Sequence, residues 1–495
     1  MRYIGALDQG TTSTRFIIFN EKARIVSVEQ IEHKQIYPRP GWVEHNGEEI
    51  RKNTDYVIRS ALDKAGLSGR DINAVGITNQ RETVIPFLRS SGKILHNAIV
   101  WQDLRGEEII KEARSRMSEE ELKERTGLLY SPYFAASKIR WLLDNVDEVK
   151  EAAKDDDLCF ATMDAYIMYC LSGVCVTDVT NASRYLLMNI NTLSWDDDML
   201  ALFSIRKENL PEIVPSSGRV YAFTREDGPF AASVPLAAIL GDQQAALFGQ
   251  ACFDKGQSKC TYGTGCFMLL NTGTERYLSS LGLLTTVAYQ IDGMKPYYAL
   301  EGSIAVAGSL VQWARDNLKL VKDAKELDML AEQVADTGGV YIVPAFAGLF
   351  APYWRSDARG VIAGLTGYTR REHICRAVLE ATAFQAYDIF SSMEEDTKIK
   401  LESLKVDGGL TNSTPLMRFQ SDILNIRVDK PEITETTALG AAFAAGLTAG
   451  VWKSTAELEK YWRVKESFSP LMDDKERENR VGFWKKAVSR TLGWL

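Results

Sequence analysis

The chain opens on a strand, a tight polar turn and a second strand, and the same unit recurs at the head of its second half. Tyr3 to Leu7 and Phe16 to Phe19 are apolar runs on either side of Asp8-Gln9-Gly10-Thr11-Thr12-Ser13-Thr14-Arg15, the pattern of two strands joined by a turn. Gln257 to Tyr262 and Cys266 to Leu270 flank Gly263-Thr264-Gly265 in the same way. At 495 residues the chain is too long for one typical core. Two such units therefore suggest an internal duplication into two large halves. Gly10 permits a sharp reversal, and the hydroxyls and backbone N–H groups that follow it suit an anion. Asp8, just before the turn, is placed to hold Mg2+ through water, and Arg15 adds a fixed positive charge. These are parts of a phosphate cradle, but not of a P-loop: no G-x-x-x-x-G-K-[ST] occurs, and a strand follows the turn where a P-loop has a helix. Taken alone, the stretch is described equally well as a polar hairpin that binds nothing.

Several further stretches end abruptly in polar residues. After a third strand at Arg24 to Ile31 and a helix at Glu48 to Ala65, the buried strand Ala74 to Ile77 runs into Thr78-Asn79-Gln80-Arg81-Glu82. Ligands of α/β sheets bind at such strand C-termini. Ile99-Val100 ends likewise in Trp101-Gln102-Asp103, and Val234 to Leu240 in Gly241-Asp242-Gln243-Gln244, followed by a small-residue helix to Gly249. The spacing predicts one charged, solvated helix over Arg105 to Arg125 and an amphipathic one over Ser137 to Leu143. Leu171 to Phe230 is irregular. A domain boundary is expected near 250–256. Beyond it, helices are expected at Ser303 to Leu318 and Glu372 to Phe390, a strand at Leu404 to Asp407 before Gly408-Gly409, and a helix after Pro415. The longest apolar run, Ala438 to Leu447, is too short to cross a bilayer; its small residues suit close helix packing.

A net charge of −8 argues against a nucleic-acid binder or a membrane-surface protein, both of which need a basic face. The seven cysteines include no C-x-x-C pair, and the four histidines lack zinc spacing. Reduced thiols filling a core are expected, as is a cytoplasmic location, since the first strand begins almost at Met1 and leaves no room for a signal peptide.

Read in order, Asp8-Gln9-Gly10-Thr11-Thr12-Ser13, Asn79-Gln80-Arg81-Glu82, Trp101-Gln102-Asp103, Ser131-Pro132-Tyr133-Phe134, Gly241-Asp242-Gln243-Gln244-Ala245-Ala246-Leu247 and Tyr262-Gly263-Thr264-Gly265-Cys266-Phe267 resemble the motifs of the FGGY carbohydrate kinases. Gly364-Leu365 through His373-Ile374 and Ala377-Val378-Leu379-Glu380 resemble that family's C-terminal signature, so the resemblance spans essentially the whole chain. It implies an α/β fold of two duplicated actin-, hexokinase- and Hsp70-like (ribonuclease H-like) domains flanking a deep cleft. Residues 1–250 would bind polyol and phosphates, and 251–495 the adenine nucleotide. It implies Mg2+- and ATP-dependent phosphorylation of glycerol to sn-glycerol 3-phosphate, with ADP released, and a homo-oligomer of two or more chains. Another polyol or a sugar is the alternative within the family; a non-catalytic nucleotide switch is the alternative outside it.

A small polyol presents alternate C–H and O–H surfaces, so its pocket needs paired donors and acceptors with apolar walls. Arg81 donates, Glu82 accepts and Tyr133 does either, while Trp101 and Phe267, one from each half, would wall the carbons. Residue by residue, the plain alternatives are a surface ion pair and ordinary core. Asp242 is the expected general base, taking the hydroxyl proton as the oxygen attacks phosphorus; it also suits a helix N-cap. Gln243 would bond the substrate or neighbouring groups. By resemblance, Thr11, Thr12, Ser13 and Arg15 cradle the phosphates from one side and Thr264 and Gly265 from the other. Gly308, Gln312 and Gly409 would line the adenosine site, although close helix packing explains Gly308 nearly as well. Asp8 and Asp242 would hold Mg2+ mainly through water. Three departures stand out. Ala135 replaces the Ser, Thr or Pro of the family signature, and Ser413 an Asn near the adenine. Arg225 to Ser233 lacks the Gly-Gly-Lys-Gly-Gly run with which regulated bacterial members bind fructose 1,6-bisphosphate, and Ser233 replaces its arginine. No inhibition by that bisphosphate is expected.

Overall fold

The two strand–turn–strand units become the centres of two sheets. In the structure, a computed structural model that describes residues 1–495, Tyr3–Gln9 and Ser13–Asn20 pair antiparallel in a register that sets Asp8 opposite Arg15. Ile25–Glu32 adds a third antiparallel strand, as its alternation predicts. Ile72–Asn79 runs parallel to Tyr3–Gln9, and Pro235–Gly241 parallel to Ile72–Asn79. Numbered along the chain, these strands lie in the order 3-2-1-4-5, with Ala222–Phe223 at the edge. Ser258–Tyr262, Cys266–Gly273, Tyr297–Ile304, Ser403–Asp407 and Arg427–Pro431 repeat the 3-2-1-4-5 order with the same parallel and antiparallel relations. Leu284–Tyr289 and Val464–Phe468 extend this second sheet at its two edges. The expected duplication is thus one of topology.

Helices cover both faces of the first sheet, which is why its central strands read as continuous apolar runs. Gly47–Ala65 buries Ile50, Val57, Ile58 and Ala61; Asn46 caps its start by accepting from the Glu49 amide, and Gly66 ends it at φ 64°. The opposite face is covered from the far end of the chain. Ala438 to Ala445 share a core with Ile4, Ala6, Ala74, Leu240 and Phe248, so the linear division near residue 250 is crossed by the helix Thr436–Thr448. Its small residues permit this. A Cβ on Gly440 would lie 1.8 Å from the Ala245 carbonyl oxygen, and one on Gly249 2.0 Å from that of Thr436.

An added layer carries a four-stranded sheet, Glu44–His45 from before the fourth strand with Ala98–Ile99, Val84–Leu88 and Leu158–Thr162 from between the fourth and fifth, and the helix Ala135–Asn145. Two expectations change. Arg105 to Arg125 is not one helix but two, Glu107–Arg116 and Glu119–Thr126, because the Ser118 side chain caps the second. The helix expected from Ser303 begins only at Gly308 and ends at Asp316, because Ser303 and Ile304 complete a strand paired with Cys266–Gly273; apolar residues there fit either period, and sheet pairing decides. All seven cysteines are free thiols, five of them buried. No helix is long and apolar enough to cross a membrane.

Candidate active site

Three neighbouring parallel strands of the first sheet end together, and each delivers a polar group to the same end. Asp8 pairs with Thr78, and Asn79 is flanked by Gln9 and Gly241. Asp8, Arg81-Glu82 and Asp242 therefore converge from separate parts of the chain. The second sheet does the same with Thr261 and Asp407, which pair in parallel strands, next to the Gly263–Gly265 turn and Gly408-Gly409. The candidate site lies where these strand ends face one another.

On one side is a cage of aromatic rings and buried charges. The Trp101 ring meets Tyr133 edge-on at 5.6 Å and Phe267, from the second half of the chain, at 6.3 Å. Arg81 is buried within an ion-pair network. Its Nη1 and Nη2 donate to the two carboxylate oxygens of Glu301 at 2.6 and 2.9 Å, and its Nε lies 3.1 Å from Asp242 Oδ1. Glu82 does not pair mainly with Arg81, 4.0 Å away, but accepts from Arg184 Nε at 2.5 Å. Its φ of 58° is a left-handed conformation that a non-glycine residue adopts only when its surroundings hold it. Burial opposes the charge of Glu301, but Arg184 and Arg81 outweigh it and hold the carboxyl at about 2. The buried Lys138 amine donates to the carbonyls of Pro132, Tyr133 and Phe134 and so fixes the segment that carries Tyr133; burial lowers it to about 7. Ala135, one of the departures, is the first residue of the helix behind this segment and is fully buried.

Asp242 opens the helix Asp242–Gly249 and keeps a side chain 31% exposed. Its Oδ1 accepts from the Gln243 amide at 2.8 Å. The Gln243 side chain accepts from buried Lys259 at 2.5 Å, and Lys259 also donates to the Thr261 hydroxyl at 2.9 Å.

On the other side is an open, wholly polar cavity of about 360 Å3 lined from both halves, by Asp8, Arg15, Thr261, Gly408, Gly409 and Asn412 among others. The Gly10 amide closes its turn on the Ser13 carbonyl at 2.9 Å, and the Gly263 amide closes the second turn on Gly265 in the same way. Thr11 and Ser13 are half-buried and Thr12 and Thr264 exposed. Arg15 is paired with Glu435 and also donates to Gln30. Burial raises the Asp8 carboxyl to about 7 against the pull of Arg15, with Asp242 and Glu435 adding to the rise. No group of three or more metal-ligating side chains occurs.

Gly409 has open space where a Cβ would be, while Gly408, at φ 91°, would place one 2.4 Å from the Tyr262 carbonyl oxygen. Gly308 packs on the Gly263–Thr264 turn, where a Cβ would stand 2.6 Å from Gly263 O, and Gln312 is exposed one turn further on. Ser413 caps the helix Thr414–Leu424 and donates to Asp328 at 2.7 Å. Glu301, Arg184, Lys259 and Lys138 were not among the candidates. A lone carboxylate in the apolar strand Tyr297–Ile304 was the available signal for Glu301, hidden because the stretch just after it reads as a helix.

Two halves of one topology, meeting at their strand ends, form the actin- and hexokinase-like ATPase fold. The chain belongs to the FGGY family of carbohydrate kinases, whose N-terminal domain matches residues 3–249 and whose C-terminal domain matches residues 258–449. It is 52% identical to a glycerol kinase of Chloroflexus aurantiacus over 499 aligned positions, covering 100% of this chain and 99% of that protein. A glycerol kinase of Saccharopolyspora erythraea is 53% identical, over 100% of this chain and 99% of the other. The crystal structure of Plasmodium falciparum glycerol kinase with ADP superposes with a TM-score of 0.93 at 41% identity, over 99% of this chain and 98% of that one.

Proposed function

We propose that this protein transfers the γ-phosphoryl group of ATP to a terminal hydroxyl of glycerol, forming sn-glycerol 3-phosphate and ADP. The observation that carries the reading is that Asp242 meets Arg81 of the cage with both of its contacts on Oδ1, and stands near enough to Asp8 of the polar cavity to add to the rise of its carboxyl. Oδ2 takes the hydroxyl proton as the substrate oxygen bonds to the γ-phosphorus and the bond from phosphorus to the leaving oxygen of ADP breaks. Full-length identity above 50% to glycerol kinases supports the choice of polyol.

Trp101 and Phe267 cover the carbon chain, and Glu82 and Tyr133 accept from its hydroxyls. Arg81 donates and keeps the Asp242 carboxylate in place. The Thr11–Ser13 turn and the Thr264–Gly265 turn present N–H and hydroxyl groups to the phosphates from opposite sides, with Arg15 at the cavity wall. Gly409 leaves the backbone open for the nucleoside, and Gly308 and Gln312 border it. The donor set fits Mg2+: Asp8 and Asp242 crowd negative charge beside the cavity, which burial alone disfavours, and Mg2+ is commonly held by one or two carboxylates with its remaining ligands water and phosphate oxygens. When bound, the ion neutralises charge on the phosphates.

An ATP-coupled assay of ADP release over a panel of glycerol, xylulose, gluconate and other polyols tests the proposal. Glycerol is expected to give the highest kcat/KM. Preference for a larger polyol or sugar would move the protein to another activity of its family.

A further inference from the structure

We propose that Glu301 is a positioning residue for the phosphoryl transfer, acting from the second half of the chain through Arg81 on Asp242. The inference rests on the functional reading above and adds to it a residue that does not touch the substrate. Glu301 sits in the strand Tyr297–Ile304 and is completely buried. Its two oxygens take both terminal nitrogens of Arg81, and one of them lies 3.5 Å from Arg184 Nη2. Arg184 in turn holds Glu82 through Nε, while its other two nitrogens have no hydrogen-bond partner. Two guanidiniums and two carboxylates thus balance in one buried quartet.

A buried quartet of this kind is weak evidence for stability, because desolvation consumes much of the attraction. Its geometry speaks for positioning. A guanidinium prefers to meet a carboxylate with two parallel N–H groups. Free of Glu301, Arg81 would turn that fork onto Asp242 and engage both of its oxygens. With Glu301 occupying the fork, only Nε faces Asp242, at Oδ1, and no protein hydrogen bond engages Oδ2. The oxygen that must accept the substrate proton stays free because a residue 59 positions later in the chain, on the other sheet, holds the arginine back. The same contact ties the two halves together at the polyol cage.

The test is a double-mutant cycle of Glu301→Gln and Arg81→Gln in the full-length protein, with glycerol and ATP kinetics and a melting curve for each variant. Glu301→Asp is run alongside, since it keeps the charge balance and withdraws the carboxylate by one methylene. We expect Glu301→Gln to lower kcat about 100-fold, the scale of a misplaced catalytic group, with the KM for ATP within twofold. Glu301→Asp falls between it and the wild type. In the Arg81→Gln background, Glu301→Gln is expected to cost less than threefold more. A kcat within threefold of wild type in both Glu301 variants, additive losses in the cycle, or losses that follow the melting temperature alone each overturn the inference. Absence of glycerol phosphorylation in the wild type overturns the functional reading and this inference with it. An active wild type with indifferent Glu301 variants overturns this inference only.

Discussion

The indole N–H of Trp101 donates to the Thr11 hydroxyl across 3.0 Å, so the ring that meets Tyr133 and Phe267 also holds the turn between Asp8 and Arg15, two residues of the cavity wall. The Thr11 carbonyl is fixed from behind by His33 Nε2 and Gln35 Nε2, each at 2.9 Å. Trp101→Phe keeps an aromatic wall and removes only the N–H. A net hydrogen bond is worth about 1 kcal/mol, so kcat/KM for glycerol should fall about fivefold, and the KM for ATP should rise with it. A change confined to glycerol would show that the two sites are not joined through this bond.

Asp242→Asn keeps the shape of the side chain and removes its capacity to accept a proton. Turnover should fall by ~10²–10⁴-fold, while calorimetry still measures ATP binding. A variant with normal turnover would deprive Asp242 of its role as base.

Much of this was legible in the sequence because the fold is built from local signals repeated twice. Gly10 and Gly263–Gly265 mark turns whose flanking apolar runs can only be strands, and the shared 3-2-1-4-5 order grows from those two hairpins. The sites at strand ends showed as sudden polarity after Ile77 and Leu240. What the sequence hid is what tertiary pairing decides. Arg81 and Glu82 are adjacent, yet their main partners are Glu301 and Arg184, more than a hundred residues away. The helix Thr436–Thr448 announces close packing by its small residues but not that its partner is the first sheet. Ile304 fits helix and strand alike until its neighbour Cys266 is known.

Asp164 should make stability fall as pH rises. It is fully buried, and burial raises its carboxyl to about 7 even though Thr162 and Thr177 donate to it, with the nearby Asp178 charge adding to the rise. An acid with a raised folded pKa stabilises fully below its unfolded value, near 3.8, and that contribution is lost as pH climbs through 7. One such proton gives a slope of at most about 1.4 kcal/mol per pH unit. Asp164→Asn should therefore flatten the decline in stability between pH 4 and 7, measured by urea unfolding. An unchanged slope would place the proton elsewhere.

Fructose 1,6-bisphosphate should leave the activity unchanged at millimolar concentration. The stretch Arg225 to Ser233 offers one cation beside exposed Glu226 and Asp227, and the Arg225 guanidinium lies near the Tyr169 ring. A bisphosphate needs several converging donors. Titration of the coupled assay decides the point, and strong inhibition at submillimolar levels would refute it.

Two glycine-to-alanine substitutions should act with opposite sign. In the helix Thr436–Thr448, a Cβ on Gly440 meets the Ala245 carbonyl oxygen at 1.8 Å and the Gly249 nitrogen at 2.9 Å. These are backbone atoms, so no rotamer change relieves the clash and the two helices must part. Overpacking of this kind costs about 1–3 kcal/mol or more. Because the displaced helix begins at Asp242, kcat should fall as well. Gly482, in the helix Asp474–Ser489, has nothing within 4 Å of its Cβ position. There alanine only restricts the unfolded chain and favours the helix, a gain of about 0.5–1 kcal/mol, with kinetics unchanged. Denaturant melts of the two variants beside wild type check both signs. A Gly440→Ala protein as stable and active as wild type would mean that the contact between the helices is looser than their backbones indicate.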